Sequence, residues 1–338
     1  MKIAINGFGR IGRIFFRQAF GNSNFEIVAI NDLSDTQNLA YLLKYDTVYG
    51  HYEKSVKASD NKIIVENKEI LIFKESDPLN LPWKDLEVDV VIEATGFFTN
   101  FEKAQLHLKA GAKKVVITAP AKDEETLTFT PNLEDLEKIS SLSEMEFITS
   151  NASCTTNSVN PVLSILIKRI GIKKAILTTI HSYTATQNLV DGIVKGNDFR
   201  RGRAAALNIV PSTTGAAEAT VKVIPSLKKK FDGISIRVPS ICGSLSDITV
   251  LTERNTSVEE INNIFKEEAE KPEWQGILKV TEEQIVSSDI LKEPYGAIVD
   301  LTLTKVVDGD LVKIFSWYDN EWGYVAMLLK HLERISKF

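Results

Sequence analysis

The 338-residue chain contains only two cysteines, Cys154 and Cys242. Two thiols cannot make a disulfide framework, so a reducing compartment is expected. Eighteen glycines and ten prolines exclude a collagenous or low-complexity chain. Basic residues are not in excess: 40 lysines and arginines face 45 aspartates and glutamates, a net charge of −5. A dedicated nucleic-acid binder would carry a clear basic surplus. The clusters Lys113-Lys114 and Lys228-Lys229-Lys230 read as solvated faces, not polyanion patches. No apolar run approaches the ~18 residues of a membrane span. Only about four apolar residues precede Asn6, too few for a secretory signal. The chain is expected in the cytoplasm, without a membrane partner and without a metal.

What is present is an ordinary globular composition, 43% hydrophobic and 25% charged. The length corresponds to about two domains at ~150 residues each. Ile3-Ala4-Ile5 reads as a strand and runs directly into Gly7-Phe8-Gly9-Arg10-Ile11-Gly12. Ile14, Phe15, Ala19 and Phe20 then keep helical spacing, and Ile27-Val28-Ala29-Ile30 forms a second strand ending at Asn31-Asp32. A glycine triplet alone is a weak signal. Between a strand and a helix, with an acid 20 residues after its last glycine, it specifies a dinucleotide site. Gly7 permits the tight turn, Gly9 lets the backbone approach a pyrophosphate, and Gly12 lets helix and strand pack closely. The helix N-terminus stabilises phosphate charge. Asp32 is placed to accept the adenosine ribose hydroxyls and to repel a 2′-phosphate.

The alternation continues through a strand at 88–93 ending in Ala94-Thr95-Gly96, a helix at 101–110 stopped by Gly111, and a strand at 115–118. Strands alternating with helices predict a doubly wound parallel sheet. Residues 45–85 read as an inserted antiparallel ribbon.

Phe147-Ile148-Thr149 is a short strand followed by Ser150-Asn151-Ala152-Ser153-Cys154-Thr155-Thr156-Asn157. Val159, Val162, Leu163, Leu166, Ile167 and Ile170 repeat at helical spacing, so a helix begins near Cys154, with Pro161 in its early turns. A helix N-terminus lowers a thiol pKa and suits a nucleophilic cysteine. The hydroxyls of Ser153, Thr155 and Thr156 suit helix capping or oxyanion binding. Cys242 lacks a comparable polar setting and reads as packing. His181 closes the β-type run 175–180, where a rigidly held general base could sit. His107 in a surface helix, His51 in a loop and His331 near the C-terminus read as structural.

Four segments stand in one order: 6–13, 150–157, 179–184 (Thr179-Ile180-His181-Ser182-Tyr183-Thr184) and 317–324 (Trp317-Tyr318-Asp319-Asn320-Glu321-Trp322-Gly323-Tyr324). Together they resemble the signature segments of the phosphorylating glyceraldehyde-3-phosphate dehydrogenases, over nearly the whole chain. The resemblance implies an enzyme that oxidises glyceraldehyde 3-phosphate with NAD and inorganic phosphate. Cys154 would form a thioester and His181 would move the proton. It assigns Gly7, Gly9, Arg10, Ile11, Gly12, Asp32, Thr95, Gly96, Thr118 and Asn320 to the cofactor. Thr184 and Arg237 go to the substrate phosphate, and Ser153, Thr155, Thr214 and Gly215 to the attacking phosphate. It also implies a homotetramer.

The implied organisation is a Rossmann-type domain over 1–150 and an α+β catalytic domain over 151–319 with a mostly antiparallel sheet. A C-terminal helix at 320–338 would return to the first domain. Departures from the family pattern lie in loops: the atypical 121–146 segment, Ser76 in place of an arginine, and Val194-Lys195-Gly196. Asp32 favours NAD, while Lys195 would attract a 2′-phosphate and admit some use of NADP. An erythrose-4-phosphate dehydrogenase and a non-catalytic binding protein are the alternatives.

Overall fold

The computed structural model describes residues 1–133, 135–143, 146–194 and 196–338, with the side chain of Leu136 excepted. The chain divides into two compact units. One holds Met1–Phe129, Glu134–Ala152 and Leu328–Phe338; the other holds Thr130–Leu133 and Ser153–Met327.

In the first unit, β1 (Lys2–Asn6), α1 (Arg10–Ala19), β2 (Glu26–Asn31) and α2 (Thr36–Lys44) are followed by a ribbon of β3 (Val56–Ser59), β4 (Lys62–Val65) and β5 (Lys68–Phe73). Then come β6 (Val90–Glu93), α3 (Phe101–Lys109), β7 (Lys114–Ile117), β8 (Leu127–Thr128), α4 (Leu136–Ser140) and β9 (Ile148–Ser150). Their described residues form a nine-stranded sheet in the order β3-β4-β5-β2-β1-β6-β7-β9-β8. The ribbon pairs antiparallel, and every pairing from β5 to β8 is parallel. Ile3, Ala4, Ile5, Val90, Val91 and Ile92 are fully buried, which is why the central strands read as unbroken apolar runs instead of alternating. The chain leaves β1 in one direction to β2 and later resumes on its other side with β6. That reversal opens a crevice at the C-terminal strand ends, where Asn6 and Glu93 are register partners.

Gly7 and Gly12 make the first turn possible. Gly7 has φ +94°, and a Cβ on Gly12 would lie 2.2 Å from the Gly7 carbonyl oxygen. Gly12→Ala is therefore expected to destabilise the fold by about 1–3 kcal/mol through overpacking. Thermal denaturation of the unliganded protein reads this, and an unchanged midpoint would refute the close-packing role. The atypical 121–146 segment contributes β8 and α4, and Asp123 anchors its start by accepting the Phe101 and Thr126 N–H groups.

His107 corrects the sequence expectation. Its helix was expected at the surface, yet the side chain is 0% exposed. Its buried partners come from elsewhere in the chain, so the helix's own pattern does not announce them. His331 is also buried; its ring stacks on Phe129 at 3.8 Å and its nitrogens meet Thr149 and Asn151. Burial holds its pKa down at about 3, so it is a neutral structural group.

The second unit contains α5 (Cys154–Arg169), β10 (Ile172–Ser182), β11 (Val210–Thr213), α6 (Ala216–Val223), β12 (Phe231–Val238), β13 (Ser244–Thr252), α7 (Val258–Ala269), β14 (Leu278–Thr281), β15 (Ala297–Asp300), β16 (Lys305–Val307) and β17 (Leu311–Tyr318). The last helix, α8 (Trp322–Ile335), begins in this unit and ends in the first. The sheet order is β11-β12-β10-β13-β17-β15-β14, with β16 on β17. Most pairings are antiparallel, but β10 runs parallel to β12 and β14 to β15. Val159, Val162, Leu163 and Leu166 of α5 pack with Leu177, Ile248, Val250 and Ile314 of the strands and with Ile261, Ile264 and Phe265 of α7. The expected strand 297–304 stops at Asp300, whose carboxylate accepts the Thr302 N–H and hydroxyl and turns the chain.

Candidate active site

The crevice of the first unit is a cavity of about 510 Å³. Gly7, Gly9, Asp32 and Thr95 line it, among the residues expected to hold a dinucleotide. Its apolar surface comes from Leu33, Pro78, Phe97 and Phe98. Phe97 is 74% exposed, a large aromatic face left without cover. Gly9 caps α1 with no side-chain bond, and a Cβ there would meet nothing within 4 Å. The helix N-terminus is thus open to an anion, as a pyrophosphate requires. Asp32 accepts Phe8 N–H on one oxygen and Ser34 N–H on the other, both below 3 Å. Each oxygen keeps a lone pair for a ribose hydroxyl. The residues fit NAD.

Arg10, Ile11, Gly96 and Thr118 are not among the residues lining this cavity. Arg10 turns to Asp46 at 2.5 Å and to the Tyr49 ring. Thr118 donates its hydroxyl to the Glu93 carbonyl, Gly96 has φ +76°, and Ile11 sits in α1 outside the cavity wall. Ser76 does line the cavity, whereas Lys195 lies outside the described residues. The cavity also uses Asn6, Asn31 and Glu75, which sequence patterning missed. Asn31 has a local signal beside Asp32, but its bonds to both backbone groups of Glu75 join distant segments.

The second unit holds the reactive group. Cys154 is the first residue of α5, and Ser153 caps the helix by accepting Thr156 N–H at 3.0 Å. This use of Ser153 is the capping half of the pair of roles its type allows. Cys154 Sγ is 3.4 Å from His181 Nε2, at the end of β10. The opposite ring nitrogen, Nδ1, lies 2.7 Å from the Ser182 carbonyl; in the tautomer that donates its proton there, Nε2 is bare and faces the sulfur. Arg237, the register partner of His181 on β12, places Nη1 2.6 Å from Nδ1 and donates to the same carbonyl at 3.1 Å.

Enclosure pushes the Cys154 thiol up, against the pull of the Arg237 charge and the Thr155 N–H and hydroxyl. Burial and the Arg237 charge hold His181 down at about 3. Neither group sustains a charge alone. They ionise as a unit when one proton moves from Sγ to Nε2, because each charge then offsets the other's lost hydration.

Tyr318, in the last signature segment, joins the site through contacts that its sequence pattern does not announce. Its hydroxyl bonds Thr155 at 2.9 Å and Thr179 at 2.7 Å, and its ring meets His181 edge-on at 6.0 Å. Asn320 is oriented by Ser182, Ser244 and Gly243, all donating to its Oδ1. These bonds leave its amide nitrogen as the group not used in holding the side chain. Thr184 pairs with Thr186, and Thr214 accepts Ala216 N–H beside the cap residue Gly215. Arg237 Nε is buried without a partner, a donor suited to an anion. Cys242 corrects an expectation: it is buried, but its thiol donates to Asp319 at 3.3 Å, so its setting is polar.

A dinucleotide fold in one unit and a cysteine–histidine pair in the other define an NAD-dependent oxidoreductase acting on an aldehyde group. Residues 1–101 match the family model for the glyceraldehyde 3-phosphate dehydrogenase NAD binding domain, and residues 153–320 match that for its C-terminal domain. A glyceraldehyde-3-phosphate dehydrogenase of Thermotoga maritima is 50% identical over 338 residues, 99% of each chain. One from Clostridium pasteurianum is 47% identical over 340 residues, covering 99% of this chain and 98% of the relative. One from Streptomyces coelicolor is 46% identical over 331 residues, 97% and 96% of the two chains. The chain belongs to the glyceraldehyde-3-phosphate dehydrogenase family. Among the described residues, no helix is long and apolar enough to cross a membrane.

Proposed function

We propose that this chain oxidises glyceraldehyde 3-phosphate and transfers the acyl group to inorganic phosphate. The observation that carries this reading is the 3.4 Å approach of Cys154 Sγ to His181 Nε2 at the start of a 16-residue helix. Sγ bonds to the aldehyde carbon while its proton passes through Nε2 to the carbonyl oxygen, giving a hemithioacetal. Nε2 then takes the hydroxyl proton as the carbon gives up a hydride and becomes a thioester carbonyl. NAD, when bound, supplies the hydride acceptor. Phosphate attacks that carbonyl, the C–S bond breaks, and Cys154 leaves as thiolate beside the protonated His181. The acyl phosphate departs and the surplus proton passes to solvent.

Arg237 and Thr184 are assigned to the substrate phosphate, and Ser153, Thr155, Thr214 and Gly215 to the attacking phosphate. The unpartnered Nε of Arg237 supports the first assignment. Asn320 offers its amide nitrogen to the nicotinamide carboxamide. In this reading the domain over 1–150 binds the cofactor, that over 151–319 carries the chemistry, and the helix at 320–338 returns to the first. Exposed Leu189, Val190, Ile193, Phe199, Leu207 and Ile209 support a homotetramer, since so much apolar surface is unusual on a monomer. Two cysteines that form no disulfide with each other suit the cytoplasm.

The test is the rise of NADH absorbance on mixing enzyme, NAD and glyceraldehyde 3-phosphate. Sustained turnover is expected only with phosphate; without it, about one equivalent of NADH per subunit forms and the reaction stalls. Continued turnover without phosphate, or a higher kcat/KM for erythrose 4-phosphate, would overturn the reading.

A further inference from the structure

Beneath the cavity of the first unit lies a polar cluster with no place in the chemistry above. Trp83, Glu93, His107 and Asn6 are almost wholly buried and come from four separate segments. The Trp83 indole N–H donates to His107 Nδ1 at 3.1 Å. An indole can only donate, so Nδ1 must be bare and His107 must carry its proton on Nε2. That nitrogen faces Glu93 Oε2 at 3.2 Å, where Asn6 also donates its amide at 2.6 Å. The other oxygen, Oε1, accepts the Thr95 N–H at 2.8 Å and the Thr95 hydroxyl. Four donors thus saturate one buried carboxylate. Asn6 Oδ1 in turn accepts from Asn31 at 2.7 Å, and the His107 ring meets Phe98 edge-on at 5.8 Å. Asn6, Asn31, Thr95 and Phe98 all line the cavity, whereas Trp83, His107 and Glu93 do not.

We propose that Trp83 and His107 are positioning residues for the dinucleotide, fixing Glu93 and through it the Thr95 and Asn6 wall of the cavity. The indole locks His107 as the neutral Nε2–H tautomer. His107 then supplies the carboxylate with a hydrogen bond rather than a charge, and Thr95 is held in one orientation. Without the indole, Nδ1 is open to a proton and the wall becomes sensitive to pH. Glu93 is the only ionisable side chain in hydrogen-bond or ion-pair contact with His107 among the described residues; its other neighbours are Trp83, Asn6 and Phe98. The proposal rests on the reading of this cavity as the NAD site.

The experiment is titration of the full-length protein with NAD by calorimetry between pH 5.5 and 8.5, with steady-state kinetics beside it. Trp83→Phe is expected to weaken NAD binding about tenfold at low pH, the cost of one disturbed buried hydrogen bond. The loss should ease in a step as pH rises, because a bare Nδ1 can take up the proton that the indole N–H excludes. Wild type should lack that step, and Trp83→Phe/His107→Gln should lose it, since glutamine can donate and accept without titrating. The effect should fall on KM for NAD and not on kcat at saturation. Unaltered NAD affinity in Trp83→Phe and His107→Gln, or a lowered melting temperature with no pH step in Trp83→Phe, would overturn the proposal. Asp32→Ala separates the two readings: if it leaves NAD binding intact, the cavity assignment has failed; if it weakens binding while Trp83→Phe does not, the relay alone has failed.

Discussion

Replacing Cys154 by serine is expected to lower kcat by about 10⁴-fold or more, with the fold retained. The size of the effect follows from the chemistry. A serine hydroxyl is far less acidic than a thiol, so the proton transfer to His181 Nε2 that creates the nucleophile becomes strongly unfavourable. The acyl oxygen ester would also be a poorer acyl donor to phosphate than the thioester. The substitution is nearly isosteric, and the Ser153 cap and the apolar face of α5 do not involve the sulfur. A thermal midpoint close to wild type should therefore accompany the loss. Substantial turnover by the serine variant would remove Cys154 from the mechanism.

The second large effect is expected at His181. His181→Asn should reduce kcat by about 10²–10⁴-fold, the usual range for losing a general base. It should also change the pH profile of Cys154 alkylation by iodoacetamide. In wild type the thiol proton has an acceptor at 3.4 Å, so thiolate forms together with imidazolium. In the variant the thiolate must stand alone in an enclosed site. Enclosure pushes the thiol up, and only Arg237 and the groups of Thr155 oppose it. The midpoint should rise above the wild-type value, slowing alkylation at neutral pH about tenfold for each unit of displacement. An unchanged alkylation profile would mean that His181 does not carry the thiol proton.

The legible parts of this molecule are those written in local pattern. The strand, turn and helix around Gly7–Gly12 and around Cys154 are visible because apolar spacing switches from continuous to helical across a few residues. The start of α5 at Cys154 is marked by a serine able to cap it. The expected 297–304 strand failed for an equally local reason, an aspartate that bends the chain at Asp300. What cannot be read locally is what joins distant segments. The parallel pairing of β10 with β12 brings Arg237 beside His181 across 56 positions, and no periodicity in either strand specifies its neighbour. The pairing of roles between Cys154 and His181 came from resemblance, not from spacing. The helix of His107 carries ordinary polar residues and so reads as a surface helix. The burial of His107 depends on Trp83, Glu93 and Asn6, which lie 24, 14 and 101 positions away. The polar surroundings of Cys242 were missed likewise, since Asp319 is 77 positions distant.

The central claim is that the acyl group of the substrate is carried on Cys154. Its most direct test is to mix enzyme, NAD and glyceraldehyde 3-phosphate without inorganic phosphate, quench in acid, and map covalent adducts by peptide mass spectrometry. The account predicts an acyl adduct on the peptide containing Cys154, none on Cys242, and disappearance of the adduct when phosphate is added before the quench. NADH formation with no adduct on Cys154, or with the adduct on another residue, would contradict it.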